Sequence, residues 1–285
     1  MKNVLSISNL LASVQSFIAL IRTFGIKCWN GILPTRPLAT IPIAIMTVAA
    51  FRLTHHQISL SMVPIVSDVF CLTCLGLSYH DWRNRLTNKK RVSAKKLQRR
   101  LSLWALKVVV STIWVAYIDP KIALVMMGGI VLAFLYGYFH HIALMPILIA
   151  SAACALAALI PLLEVPMSLW RNSSNITLAI GAALLAFASG LLADSQELFH
   201  FRKRTFSQNF GVKAIEILAG ISIFTSAVIL FSIEPDTSNL LYILGIVAML
   251  FSGIRYVVQR TTDLETEFKL MFEGGIGLVL IGLCG

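Results

Sequence analysis

Two polar segments in this otherwise apolar chain contain side chains that could bind a metal ion. In the first segment, Asp81, Asn84 and Asn88 are spaced three and four residues apart. If the preceding apolar segment continues as a helix, these spacings put all three oxygen-bearing side chains on one face. Oxygen ligands suit a hard cation such as Mg²⁺. We therefore predict a magnesium site formed in part by Asp81, Asn84 and Asn88.

The second segment repeats the order of acids followed by bases. Asp194 and Glu197 are three residues apart, and a basic run begins at residue 202. Because Lys and Arg bind phosphate oxygens, the two segments could together form one charged site at one end of the helices. Taken singly, each segment could instead be a helix cap followed by a basic loop that marks topology and contacts anionic lipids.

Membrane-spanning helices are the elements that must position these residues. Of the 285 residues, 57% are hydrophobic and 13% are charged, and the mean hydropathy is +0.81. This composition excludes a water-soluble globular domain. Backbone polar groups in lipid must be satisfied within each segment, so we predict an all-α polytopic membrane protein. The nine predicted spans are residues 38–53, 58–79, 101–118, 122–139, 142–163, 176–193, 212–233, 239–258 and 269–285.

The distribution of Lys and Arg predicts the orientation of these spans. Seventeen Lys and Arg residues fall on the side that holds the N-terminus and the two polar segments, against two in the loops of the other side. Such an excess is typical of the cytoplasmic side, so we predict an integral, multi-pass protein whose N-terminus and basic loops are cytoplasmic. The net charge of +11 then requires no nucleic acid partner. Residues 1–30 are predicted to form an interfacial amphipathic segment, and residues 31–285 the transmembrane domain.

The two segments and the spans between them resemble the UbiA superfamily of intramembrane prenyltransferases over roughly residues 30–285. These are nine-helix proteins with Asp-rich loops after helices 2 and 6. Residues 80–88 lie over the first family motif, N-D-x-x-D-x-x-x-D, and residues 194–205 over the second, D-x-x-D-x-x-x-D. Tyr136 and His140 resemble the family's Y-x-x-x-K, and residues 35–42 resemble its Arg-Pro sequence before helix 1.

The chain departs from the family pattern chiefly at the acids. Asp81 and Asp194 remain, His80 replaces the first Asn, and His140 replaces the lysine of Y-x-x-x-K. Four positions that are acids in the family motifs are Asn84, Asn88, Leu191 and Leu198 in this chain. Glu197 directly precedes the last of them. Fewer carboxylates predict weaker Mg²⁺ binding, so that the basic side chains neutralise more of the diphosphate.

The resemblance implies transfer of an isoprenyl group from a prenyl diphosphate to a hydrophobic acceptor, aromatic or otherwise, in contact with membrane lipid. The Mg²⁺ ligands that it implies are Asp81, Asn84, Asn88, Asp194 and Glu197. The diphosphate ligands that it implies are Arg91, Lys95, Arg202, Lys203 and Arg204. Its implied catalytic residues are Asp81, Asp194, Tyr136 and His140, with a neutral histidine as a base near pH 7. Aromatic rings could stabilise the carbocation or could instead be core or lipid-facing residues. The candidate rings are Phe134, Trp104 and Trp114.

Two other functions are compatible with the sequence. One is a non-catalytic UbiA-like protein that binds isoprenoid lipids or a partner. The other is a small transporter that uses Asp68 and Glu216, because ionisable residues at membrane depth are costly and often functional. Asp68 could contribute to a cavity or bind an acceptor hydroxyl, or it could be a neutral, hydrogen-bonded residue of the bundle interior.

Overall fold

The computed structural model describes residues 37–55, 60–88, 94–139, 142, 144–170, 173–201, 210–233, 239–258 and 265–284. These residues are helical almost throughout and contain no strand. The helices are α1 (Pro37–His55), α2 (Met62–Asn88), α3 (Ala94–Ile118), α4 (Pro120–Tyr138), α5 (Met145–Leu159), α6 (Met167–Trp170), α7 (Ser174–Phe201), α8 (Val212–Phe231), α9 (Leu240–Val258) and α10 (Glu265–Cys284). A 3₁₀ turn, Ile160–Glu164, extends α5.

Seven of the described helices are long and apolar enough to cross a membrane. They are α2 to α5 and α7 to α9, which confirms the prediction of an all-α, multi-pass integral membrane protein. The predicted number of nine spans is not confirmed, because α1 and α10 are not among the seven. In α10, the apolar stretch among the described residues is limited to Gly274–Cys284. Leu38–Gly285 cluster as one compact unit, and the predicted interfacial segment at residues 1–30 lies outside the described residues.

A single residue, Asp119, connects α3 to α4. Its carboxylate accepts hydrogen bonds from the backbone N–H groups of Lys121 (2.7 Å) and Ile122 (3.3 Å), which caps the first turn of α4. Pro120 is the first residue of that helix, where its missing N–H group costs nothing. The sequence Asp119-Pro120 therefore ends one span and starts the next with almost no loop.

Asn175 shows which helix ends lie together. Its side-chain amide donates to the carbonyl oxygens of Ala50 (3.0 Å) and Ala158 (3.2 Å), so the start of α7 lies beside the last turns of α1 and α5. Because α2 follows α1 after a short connection, α2 also starts at this end. Asp81 and Asp194, far along α2 and α7, therefore lie toward the other end. We call the end that holds Asp81 and Asp194 the motif end, and the end that holds Asn175 the opposite end.

The long helices are packed largely in chain order. From α2 to α5 and from α5 through α7 to α10, each long helix packs against the next in the chain. The guanidinium of Arg52 on α1 donates to the carbonyl oxygen of Cys284 in the last turn of α10. This hydrogen bond joins the first long helix to the last one at the opposite end.

Candidate functional site

An apolar cavity of about 170 Å³ lies between α1, α2, α4 and α5. Each of these four helices contributes to the wall, with Ile43 on α1, Leu72 on α2, Met126 on α4 and Ala153 on α5. Thr73 and Tyr136 are the two lining residues with hydroxyl groups, and the rest of the lining is aliphatic side chains and glycine. A cavity of this composition favours a hydrocarbon group over a polar one.

The wall between α2 and α4 depends on small residues. A methyl group at Gly76 would lie 3.4 Å from the Cα of Ala133, and one at Gly129 would lie 3.0 Å from Leu72 Cδ1. At Gly137 it would lie 2.3 Å from Tyr79 Cδ1 and clash with it. Residue numbers rise together along both helices in these contacts, from Leu72 with Gly129 to Tyr79 with Gly137, so α2 and α4 are parallel neighbours. Their close approach brings the last turn of α4 onto α2 just before Asp81.

The motif end of the cavity wall is polar. The ring of Tyr136, which lines the cavity, lies 5.4 Å from the ring of His80 between centroids. His80 Nδ1 is in turn 3.8 Å from the Asp81 carboxylate Oδ1, and both side chains are mostly buried. We call His80, Asp81 and Tyr136 the mouth. The lining of the apolar cavity thus includes a phenol, and that phenol contacts a histidine beside a carboxylate.

Further aromatic and cationic groups surround the mouth. The Arg83 guanidinium lies over the ring of Tyr138, 5.4 Å from its centroid, in a cation–π contact between α2 and α4. Tyr79 stacks on Trp82 at 5.9 Å between ring centroids and meets the Phe134 ring edge-on at 5.1 Å. These contacts between the ends of α2 and α4 fix the backbone from which the mouth residues project.

Both predicted metal-binding segments continue their helices, as the spacing required. Because α2 extends to Asn88, Asp81, Asn84 and Asn88 lie on one face of a regular helix. Likewise, α7 extends to Phe201, so Asp194 and Glu197 share a face. The structure describes the side chains of Asp81 and Asp194, both partly buried, and only the helical positions of Asn84, Asn88 and Glu197.

The structure describes little of the predicted phosphate site. Lys95 is exposed in the first turn of α3. Among the described residues, no group of three or more His, Cys, Asp and Glu side chains could hold a metal ion. The predicted metal ligands, two of which are amides, therefore stay a prediction. The remaining predicted residues, which lie outside the described residues, are Arg91, His140, Arg202, Lys203 and Arg204.

Asp68 belongs to the packing between α2 and α3. It is fully buried, and it accepts hydrogen bonds from the hydroxyl groups of Ser111 and Thr112, the latter at 3.0 Å. Its side chain is not part of the cavity lining. The structure therefore confirms the second interpretation of Asp68 from the sequence, a hydrogen-bonded residue of the bundle interior.

The aromatic residues considered for carbocation stabilisation do not line the cavity. Trp114 and Phe134 are 53% and 42% exposed, as expected of lipid-facing side chains. Trp104 is buried, but it packs edge-on against Phe70 in the α2–α3 interface. The structure thus supports the other alternative considered from the sequence, that these three rings are core or lipid-facing residues.

Sequence reasoning missed two residues that shape the mouth. His80 was interpreted only as a replacement for a motif Asn, although it is the residue that contacts Tyr136. Gly137 was not considered, although it permits that contact. A signal was present in the four-residue spacing of Gly129, Ala133 and Gly137, because small residues at this spacing mark close helix contacts in membranes.

We compared the chain with protein-family models, with curated proteins and with solved structures, and no match was found in any of the three. The functional argument therefore depends on the cavity, its mouth and the chemistry of the neighbouring residues.

Proposed function

We propose that this protein is an intramembrane prenyltransferase-like protein that transfers an isoprenyl group from a prenyl diphosphate to a lipid-soluble acceptor, aromatic or otherwise. The observation that supports this most directly is the apolar cavity whose lining residue Tyr136 contacts His80, the neighbour of Asp81. A prenyl diphosphate has the same two parts, a hydrocarbon tail and a polyanionic head. In this proposal the cavity binds the tail, and the motif end binds the head.

The chemistry places distinct demands on the two parts of the site. The bond between the allylic carbon and the diphosphate oxygen breaks, its electron pair leaves with the diphosphate, and the acceptor attacks the resulting cation and loses a proton. The aliphatic cavity lining excludes water from this cation. Tyr136 borders the reacting carbon. His140 remains the proposed base, and His80 beside the Asp81 carboxylate is a second candidate.

The proposed head-group site uses residues of both motif segments. Asp81, Asn84, Asn88, Asp194 and Glu197 fit Mg²⁺ by their chemistry, because carboxylate and amide oxygens recur on one face of each helix. When bound, Mg²⁺ would supply positive charge opposite the diphosphate oxygens. The proposed phosphate ligands are Arg91, Lys95, Arg202, Lys203 and Arg204. We propose that the motif end faces the cytoplasm, from which a charged diphosphate could reach it.

The purified protein in detergent, incubated with labelled geranyl, farnesyl and longer prenyl diphosphates with and without Mg²⁺, tests this function. Consumption of one of these diphosphates is expected, and Asp81→Ala and Asp194→Ala should each abolish it while the protein stays folded. Glu164→Gln is the matched control, because it removes a carboxylate that pairs with His55 at the opposite end. Wild-type rates in both Asp variants would exclude the proposed head-group site.

The alternative is a non-catalytic protein that binds isoprenoid lipids or a partner. The replacement of four motif acids favours it, because the matched positions retain only Asp81 and Asp194, with Glu197 beside one lost acid. The same incubation separates the two functions. Thermal stabilisation by a prenyl diphosphate without its consumption would support the alternative, whereas neither stabilisation nor consumption would exclude the enzyme and any binding of these diphosphates.

A further inference from the structure

The helix α3 is strongly basic and contains no acid. Its 25 residues include five cations and neither Asp nor Glu. The five are Lys95, Lys96, Arg99, Arg100 and Lys107. No carboxylate of the described residues forms an ion pair with Lys96, Arg99 or Lys107. The negative charge that would balance these three cations must therefore come from outside the described part of the protein.

Three of these cations lie on the outer face of the helix. Lys96, Arg99 and Lys107 are exposed, and their spacings of three and eight residues place them along one stripe. We call these three residues the basic stripe. Exposed apolar side chains lie between its members and continue along the same face toward the opposite end. They are Leu103, Val110, Trp114 and Tyr117.

Lys107 lies inside the apolar part of α3. It is six residues beyond Leu101, where the apolar sequence begins, so its Cα lies about 9 Å further along the helix axis. Its Nζ lies 4.2 Å from the centroid of the Trp104 ring, one turn back toward the motif end. A lysine that bends back along its helix in this way brings its ammonium group to the boundary between head groups and acyl chains.

The surroundings of the stripe are those of a lipid-facing surface. Among the seven span helices, α3 has the smallest buried share, 22%. Beyond the first two turns its exposed residues are mostly apolar, including Leu106 and Ile113, and the one exposed cation among them is Lys107. The other four cations lie within the first seven residues of the helix, at its motif end. This order, with most cations before the apolar side chains, matches a phospholipid with its head group at the membrane surface.

We propose that the outer face of α3 binds an anionic phospholipid. The basic stripe contacts the anionic head group, and the acyl chain packs along Leu103 and Val110. Negative charge is favoured because the three cations line one face of the helix, and a zwitterionic lipid would neutralise only part of their charge. This site is separate from the cavity and does not depend on the proposed prenyltransferase function.

The test is lipid retention by the full chain. The protein is equilibrated with vesicles of equimolar phosphatidylcholine and phosphatidylglycerol, extracted in mild detergent and analysed by native mass spectrometry for bound lipid. Phosphatidylglycerol should be retained in preference to phosphatidylcholine. Each cation near an anionic head group contributes about 1 kcal/mol, so Lys107→Gln and Arg99→Gln should each lower retention about fivefold.

Two controls keep the experiment decisive. Lys213→Gln removes an exposed cation from the first turn of α8, and it should leave retention unchanged. Lys107→Arg keeps the charge and should retain the lipid, which separates loss of binding from a packing defect. Equal retention of the two lipids, or an equal effect of Lys213→Gln and Lys107→Gln, would overturn the proposal. A second copy of the chain cross-linked through Lys107, with retention unchanged by Lys107→Gln, would also overturn it.

Discussion

Tyr136 on α4 and His80 on α2 lie with their ring centroids 5.4 Å apart. Through this contact the wall of an apolar cavity, to which Tyr136 belongs, meets a polar pair formed by His80 and Asp81. The contact requires α2 and α4 to approach closely one residue further along α4, at Gly137. An apolar volume and a charged helix end are thereby joined into one site with two kinds of surface.

Gly137→Ala tests whether this approach depends on the missing side chain. The added methyl group would lie 2.3 Å from Tyr79 Cδ1 and 2.9 Å from the backbone nitrogen of His80, and a backbone atom cannot rotate away. We expect a loss of about 1–3 kcal/mol in the free energy of unfolding, because overpacking forces α4 away from α2. Denaturant titration followed by tryptophan fluorescence measures it.

Gly128→Ala is the matched control for Gly137→Ala. A methyl group at Gly128, in the same helix, would have no atom within 4 Å. Because alanine favours a helix over glycine by roughly 0.5–1 kcal/mol, this variant should be as stable as the wild type or slightly more stable. Equal destabilisation of both variants would show that helix packing at Gly137 is not the cause.

Features that depend on local sequence were predictable. The apolar runs correspond to the long helices, and the motif spacings required helices that continue to Asn88 and Phe201, as the structure shows. Each of these features involves residues close together in one segment. Hydrophobicity and helical periodicity are sufficient to predict them.

Features that depend on contacts between helices were not predictable in the same way. The contact of His80 with Tyr136 depends on which helices are neighbours and on their register, and neither follows from the hydropathy of single segments. The same holds for Trp114 and Phe134, which are apolar and aromatic whether they face lipid or a cavity. The predicted count of nine spans is not confirmed, because α1 and α10 are not among the seven described helices that are long and apolar enough to cross a membrane.

Ala153→Phe tests whether the cavity binds the hydrocarbon tail of the proposed substrate. Ala153 is part of the cavity lining on α5, so a phenyl ring there would occupy space that the tail needs. We expect at least about a tenfold loss of affinity for farnesyl diphosphate, equal to roughly 1.4 kcal/mol, with a smaller loss for geranyl diphosphate. Ligand-dependent shifts of the melting temperature measure both affinities.

Ala152→Phe is the control for Ala153→Phe. Ala152 is the preceding residue and is exposed on the outer face of α5, so its replacement adds the same ring to the same helix without filling the cavity. Affinity for both diphosphates should stay at the wild-type value. If Ala153→Phe also left both affinities unchanged, the tail would have to bind elsewhere.

Asp68→Ala tests the role of the buried carboxylate between α2 and α3. It removes the acceptor of hydrogen bonds from Ser111 and Thr112, so we expect a loss of about 1–2 kcal/mol in unfolding free energy. Asp68→Asn retains an acceptor oxygen and should lose less. A double-mutant cycle with Thr112→Val measures the interaction directly and should give a nonzero coupling energy.

Thr73→Val is the control for Asp68→Ala in the same helix. The Thr73 hydroxyl donates to the carbonyl oxygen of Val69 within α2, so its loss breaks no contact between helices. Its effect on stability should stay within about 0.5 kcal/mol. If Asp68→Ala were equally mild and showed no coupling to Thr112, the carboxylate would not hold α2 to α3.

Asn175→Asp tests the contact that joins three helices at the opposite end. The side-chain amide of Asn175 donates to the carbonyl oxygens of Ala50 and Ala158, whereas an Asp of the same shape has no hydrogen to donate to either. A carboxylate would also place an oxygen against two carbonyl oxygens in a fully buried position. Because buried polar groups left without partners cost about 1–3 kcal/mol, and charged ones more, Asn175→Asp should destabilise the protein more than Asn175→Ala. Denaturant unfolding of both variants gives the order of their unfolding free energies, with Ser174→Ala as a neighbouring control. Wild-type stability of Asn175→Asp would show that this contact does not position α7.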